Sequence, residues 1–263
     1  MQTIQTDFHM HSTFSPDGNN SVRAMCSAAA KKGLTTIAFT EHKEWGRSFD
    51  APFAQVDDYF VALEAERRRY SKWYRPDLTI LSGVELGNPH ENHAEAARFV
   101  EQHPFDITIA SLHWIYGENV HNRRCFQNRD VHRVFADYFD KVREMVLDFE
   151  VDMLAHFDRI LWVPALNSAE FNITQVEQNV RSLFEAVLAR NVALELNTKL
   201  YRVSPNWEDS LRTMLGWFRE AGGERVMINS DAHHTSHLHV HLDPARQLLQ
   251  ACGLSLETQI RRP

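Results

Sequence analysis

An α/β chain built on a parallel sheet is predicted by three features of this 263-residue sequence. Short apolar runs rich in Ile, Val, Leu, Thr and Phe alternate with longer stretches of helical period from one end to the other. No linker rich in Pro, Gly or Ser divides them, which predicts one domain over residues 1–263. The polar residues of chemical interest cluster where the apolar runs end.

The first run, QTIQTDFH from Gln2, leads into His9 and His11, with Asp17 six residues further on. A spacing of two in a regular strand puts both imidazoles on one face. A helix over SVRAMCSAAAKKG follows, with Ser21 as N-cap and Gly33 as its stop. LTTIAFTEH, from Leu34, ends in Glu41 and His42 and precedes a helix over Gln55–Tyr74. LTILSGVEL, from Leu78, carries Glu85 and precedes a helix over Asn92–Gln102. FDITIASLH, from Phe105, ends at His113 before a helix over Asp130–Phe149. VDMLAHFD, from Val151, carries His156 and leads to a helix over Ile173–Ala189. VALELNT, from Val192, carries Glu195 and Asn197 before Trp207–Ala221. RVMINSDAH, from Arg225, ends in Asp231 and His233 before Asp243–Cys252. Seven β-then-α units close into a distorted barrel or lie open as a doubly wound sheet. In either fold the C-terminal strand ends share one face, where active sites are built.

Composition narrows the function. The chain is 43% hydrophobic and 24% charged, which is globular and not disordered. Its net charge of -7 opposes a nucleic-acid-coating surface, so no nucleic acid is expected as partner. The basic stretches EAERRRYSKWYR from Glu64 and NRRC from Asn122 read as a solvated helix face and a charged loop. The start MQTIQTDF has no signal-peptide pattern, and no apolar run is long enough to cross a membrane. Cys26, Cys125 and Cys252 are far apart and odd in number, so reduced thiols in a cytoplasmic protein are expected.

Fifteen histidines are many for this length. One strand-end histidine is more often a hydrogen-bonded core or surface residue than a ligand. Imidazole or carboxylate at seven strand ends is a different matter, because those ends converge. His9, His11, Asp17, His42, Glu85, His113, His156, Asp231 and His233 supply enough donors for two or three divalent ions. A nitrogen and oxygen set with no thiolate suits Zn, Mn or Fe.

The ordered segments DFHMHSTFSPDG, FTEHKEW, LSGVELG, ASLHW, LAHFD, ELNT and NSDAHH resemble the motifs of the PHP (polymerase and histidinol phosphatase) metallophosphoesterases over essentially the whole chain. The resemblance implies a distorted seven-stranded β/α barrel with up to three metal ions at its C-terminal mouth. It implies that His9, His11, Glu85 and Asp231 hold one ion, that a bridging Glu85 with His113 and His156 holds a second, and that Asp17, His42 and His233 hold a third. Some members have histidine in place of Asp17, and aspartate is commoner than Glu41 in its motif.

HFDRI at His156 and ELNTKLYR at Glu195 resemble the stand-alone histidinol-phosphate phosphatases, which implies that Arg159 and Arg202 contact the substrate phosphate. An arginine suits this, since its fork donates two parallel hydrogen bonds to phosphate oxygens. Leu200 and Tyr201 depart from the family pattern, which carries glycine before the second arginine. In the remaining tract HHTSHLHVH, His234, His237, His239 and His241 read as solvent-facing, as do His90, His93, His103, His121 and His132. Trp45 and Trp114 either wall the pocket or pack in the core, and Glu195 supports ligands instead of binding metal. The reading is a metal-dependent phosphomonoesterase, with L-histidinol phosphate as the first substrate and another small phosphate ester or a nucleotide as the alternative. Water activated between two cations attacks phosphorus in line, and Asp231 or His233 serves the leaving group.

Overall fold

In a computed structural model, residues 5–45, 53, 55–72, 78–163 and 171–260 are described. Eight parallel strands form one curled sheet in the order β1 (Thr6–Met10), β2 (Thr36–Lys43), β3 (Thr79–Gly87), β4 (Ile107–Ser111), β7 (Met153–Leu154), β8 (Ala193–Asn197), β9 (Arg225–Asn229) and β10 (Ser255–Leu256). A small antiparallel hairpin, β5 (Trp114–Ile115) with β6 (Glu118–Asn119), follows β4. Seven of the eight sheet strands are those expected. The eighth, β10, has two residues that pair with Arg225 and Val226, too few to leave a periodic signal.

The curl nearly closes at β1 and β9. Met10 bridges Ala232, and His11 N–H donates to Ala232 O at 2.9 Å. Phe8 N–H donates to Asn229 Oδ1 at 2.8 Å, and Ser230 N–H to Asp7 Oδ1 at 3.1 Å. β1 thus meets β9 near the C-terminal ends, whereas β10 lies beside the start of β9. That asymmetry is the distortion of the barrel.

Alternation along the strands sorts core from site. Ala38, Ile107, Ile109, Met153, Ala155 and Met227 pack together with Phe8 in a small cluster. Their sheet neighbours Ile37, Phe39, Ala110, Leu154, Leu194, Val226 and Ile228 belong to the large core shared with the helices. Two-residue steps from the small cluster lead to the functional residues: Ala38 to His42, Ile109 through Ser111 to His113, Met227 through Asn229 to Asp231.

β1 departs from the regular alternation expected for it. Asp7 pairs with Ile37 and Met10 with Phe39, so β1 carries one residue more than β2 over that interval. Such a bulge re-aims a side chain next to a site. Phe8 and Met10 consequently fall in different clusters, although two residues separate them.

The helices are α1 (Val22–Lys31), α2 (Val56–Lys72), α3 (His93–Gln102), α4 (Val131–Asp148), α5 (Glu177–Ala189), α6 (Lys199–Val203), α7 (Glu208–Glu220) and α8 (Leu242–Ala251). Ser21 caps α1 by accepting from Ala24 N–H, and Gly33 follows with φ 81°. α4 buries Val134, Phe135, Tyr138, Phe139, Val142, Met145 and Val146 at helical spacing. The expected helix over 173–189 begins instead as a 3₁₀ turn, Ile173–Val176. Residues 73 and 74 of the helix expected to end at Tyr74 lie outside the described residues. α6 was not foreseen; it follows β8 directly and carries Lys199 and Arg202.

Candidate metal centre

Glu85, at the end of β3, is fully buried and gathers five imidazoles. Its Oε2 lies 3.4 Å from His9 Nε2, 3.4 Å from His11 Nε2 and 2.9 Å from His42 Nδ1. Its Oε1 lies 3.1 Å from His113 Nε2 and 2.8 Å from His156 Nε2. Asp231 Oδ1 stands 3.4 Å from His11 Nε2, 3.7 Å from His9 Nε2 and 3.3 Å from His233 Nδ1. At the rim, Asp17 reaches His42 Nε2 at 3.4 Å and His233 Nε2 at 3.1 Å. All nine residues singled out in the sequence therefore meet at the C-terminal mouth. Eight are buried or nearly so; Asp17 has a side chain 45% exposed. Gly18 lets its loop fold back, since a Cβ there would lie 1.7 Å from Ser12 O.

Most of these short approaches are not hydrogen bonds. His9 Nε2, His11 Nε2, His42 Nδ1, His113 Nε2, Glu85 Oε2 and Asp231 Oδ1 are buried with no hydrogen-bond partner. Orphaned buried polar atoms are costly, and a cluster of them aimed at one space needs an explanation. Two ligands of a tetrahedral ion with bonds of about 2.05 Å stand about 3.3 Å apart. The separations above fit that spacing. The triads His9–His11–Asp231, His9–Glu85–His156, His42–Glu85–His113 and His11–His42–His233 each bring one donor atom per residue within 4.8 Å of one another. The donor set therefore suits divalent ions.

Electrostatics agree. Burial pushes Glu85 and Asp231 up, but His42, His9 and His113 hold Glu85, and Lys199, His9 and His233 hold Asp231, well below the usual carboxylate range. Burial lowers His9 and His42, yet Glu195, Glu85 and Asp231 hold His9 well above its ordinary value. Glu85 and Asp17 raise His42 to about 10. Burial, then the charges of His233 and His42, hold His11 well below it, and burial takes His156 to about 4. Protons on His9 and His42 balance the two carboxylates, a task that metal cations perform equally well.

A layer of supporting contacts fixes the rings. His9 Nδ1 lies 2.8 Å from Glu195 Oε1, whose other oxygen accepts His156 N–H at 2.7 Å. His113 Nδ1 bonds Glu44 Oε1. Trp114 Nε1 donates to Glu44 Oε2 at 3.0 Å, so Trp114 lines the site's support, whereas Trp45 packs on Phe99. Gly87 admits Glu44, because a Cβ there would lie 2.2 Å from Glu44 Oε2. His11 Nδ1 bonds Ser15 Oγ at 3.1 Å, and Glu41 accepts from Ser12 N–H and from both serine hydroxyls. Partners of this kind set tautomer and orientation. Two site residues, His156 (φ 25°) and Asp231 (φ 49°), adopt the left-handed region, as strained functional positions do.

Glu44 and Lys199 join the site without any sequence pattern that singles them out. Lys199 Nζ stands 2.9 Å from Asp231 Oδ2. His121, expected to face solvent, instead has its Nε2 buried beside the site. Of the other histidines set aside, His93 and His241 are exposed, while His90, His103, His132, His234, His237 and His239 are half-buried and join no triad. Arg159 is buried at 9% exposure, and Arg202, half-buried, is close enough to Asp231 to feel its charge.

The fold and site define a β/α-barrel protein with a histidine–carboxylate centre at the strand ends. The PHP domain model matches residues 7–199, and the chain belongs to that family. It is 25% identical over 250 residues to the probable histidinol-phosphatase of Clostridium acetobutylicum, covering 94% of each chain. It is 25% identical over 252 residues to the histidinol-phosphatase of Lactococcus lactis subsp. lactis, covering 94% of this chain and 91% of the relative. A crystal structure of the Lactococcus lactis histidinol phosphate phosphatase, complexed with Zn, L-histidinol and phosphate, superposes with TM-score 0.87 at 23% identity, over 97% of this chain and 96% of that one.

Proposed function

We propose that the protein is a metal-dependent phosphomonoesterase that releases phosphate from L-histidinol phosphate. The observation that carries the reading is the Glu85 carboxylate with five imidazoles around it and no hydrogen bonds to satisfy most of them. Relatives named histidinol-phosphatases align over nearly the full chain, which supports the substrate.

In this reading His9, His11, Glu85 and Asp231 hold one ion, Glu85, His113 and His156 a second, and Asp17, His42 and His233 a third, each Zn, Mn or Fe. Bound divalent ions acidify water towards neutrality and offset phosphoryl charge. The protein's own groups do the rest. Arg159 and Arg202 hold phosphate oxygens and orient phosphorus for in-line attack. Asp231, held by Lys199 at 2.9 Å, or His233, 13% exposed at the rim, serves the departing alcohol.

The whole chain acts as one domain, because β9, beyond the matched region, leads into Asp231 and His233. Free Cys26, Cys125 and Cys252 suit the cytoplasm. Among the described residues no helix is long and apolar enough to cross a membrane.

The test is phosphate release by Mn- or Zn-loaded protein on L-histidinol phosphate beside sugar phosphates and nucleotides. A kcat/KM above about 10⁴ M⁻¹s⁻¹ for histidinol phosphate, well clear of the rest, is expected. A stronger preference for a sugar phosphate or nucleotide overturns the substrate, and no hydrolysis of any ester overturns the reaction.

A further inference from the structure

Beside the centre, Trp162 forms a buried platform. Its Nε1 donates to Asp158 Oδ2 at 3.0 Å, which fixes the indole. Around its ring centroid stand Lys199 Nζ at 5.5 Å, the Arg159 guanidinium carbon at 5.9 Å, and the imidazoles of His156 at 5.3 Å and His121 at 6.0 Å. An indole face holds cations by its quadrupole, so the ring can collect like charges that would otherwise repel.

Three donors in this group are unspent. Arg159 is 9% exposed, and its Nε is buried without a hydrogen-bond partner. His121 Nε2 is likewise buried and orphaned. Lys199 has one carboxylate contact, Asp231, and an ammonium offers three donors. Arg159 and Lys199 are the first and third strongest influences holding the His121 imidazole down to about 2, so it is neutral and sits among their charges. A buried guanidinium with an unpartnered donor is unfavourable unless an anion joins it.

We infer that Lys199 and His121 bind the substrate phosphate together with Arg159, forming a three-sided cradle against Trp162. Lys199 supplies a point charge and Arg159 a fork. His121 bonds the same anion through its orphaned Nε2. Lys199 reaches the cradle because it opens α6 immediately after β8, where its Nζ is anchored on Asp231. The anchor ties phosphate position to the metal side of the site. This inference rests on the reading of the site as one for phosphate esters; it does not depend on which ester is cleaved.

The experiment measures inorganic phosphate affinity, as a competitive inhibition constant and by calorimetry, for metal-loaded wild type, Lys199→Met, Lys199→Arg and His121→Ala, with metal content determined for each. Lys199→Met weakens phosphate binding by about tenfold or more, the loss of one charged hydrogen bond, with metal content unchanged. Lys199→Arg restores most of it, and His121→Ala loses a smaller factor. Unchanged phosphate affinity in both Lys199→Met and His121→Ala overturns the cradle. Loss of metal in step with phosphate in Lys199→Met also overturns it, leaving Lys199 as a prop for Asp231 alone. If Lys199→Met does not fold, the His121→Ala result decides. Wild-type protein that binds phosphate through Lys199 but spares histidinol phosphate refutes the substrate and keeps the cradle.

Discussion

Glu195 Oε1 stands 2.8 Å from His9 Nδ1, while its second oxygen receives the backbone N–H of His156 at 2.7 Å. One buried carboxylate on β8 thereby aims the His9 ring from β1 and anchors the His156 backbone beyond β7. Asn229 and Asn197 complete it with amide donors at 3.0 and 3.1 Å. In metal-free protein Glu195→Ala strands a charged His9 and two amides in the interior. The expected cost is about 3–5 kcal/mol of stability, by the rule for breaking a buried charge pair. Metal affinity should fall about 10–100-fold with it. Denaturant unfolding and chelator competition measure the two.

Most of the site is legible in the sequence because a parallel α/β fold brings every strand end to one face. His42, Glu85, His113, His156 and Asp231 needed only the strand pattern to be placed together. Glu44 was not legible: it lies two residues past His42 and looks like a surface charge until Gly87 opens the space for it. Lys199 hides in a five-residue helix too short to show periodicity. The bulge at His9 is set by pairing with β2, which periodicity within β1 does not encode.

Gly87→Ala tests the Glu44 support. A Cβ at that position would lie within 2.3 Å of both Glu44 oxygens, so the carboxylate must leave His113 and Trp114. Stability should drop by about 1–3 kcal/mol from unpaired buried donors. Metal bound through His113 should weaken. Thermal unfolding with and without metal separates the two effects, and an unchanged gain in Tm on metal addition would count against this role for Glu44.

Protonation gives the metal-free protein a defined pH response. His42 rises from 6.5 to about 10 on folding, so its contribution is complete below pH 6.5 and is lost as pH climbs through 10. Glu85 and Asp231 are depressed, so theirs is present above the ordinary carboxylate range and is lost on acidification. Chelated protein should therefore lose stability as pH climbs from 6.5 towards 10, and His11 and His156, held below their ordinary value, add a loss as pH falls below 6.5. Metal must displace the His42 proton, so affinity should rise by up to about tenfold per pH unit between pH 6.5 and 9. Calorimetry in buffers of different ionisation enthalpy counts the protons released.

Asp17→Asn separates a working centre from a scaffold. The side chain is 45% exposed and, among the described residues, pairs with His42 and His233, so the fold should lose less than about 1 kcal/mol. Turnover should fall at least about tenfold through the ion that Asp17 helps hold. Full activity with normal stability would remove Asp17 from the ligand set.

Counting metal ions per chain by elemental analysis, in wild type and in Glu85→Gln, tests the central claim most directly. Two to three divalent ions in the wild type, falling by at least one in Glu85→Gln, is the predicted result, because both Glu85 oxygens face separate groups of imidazoles. Fewer than one ion per chain in active wild-type protein, or an unchanged count in Glu85→Gln, would contradict it.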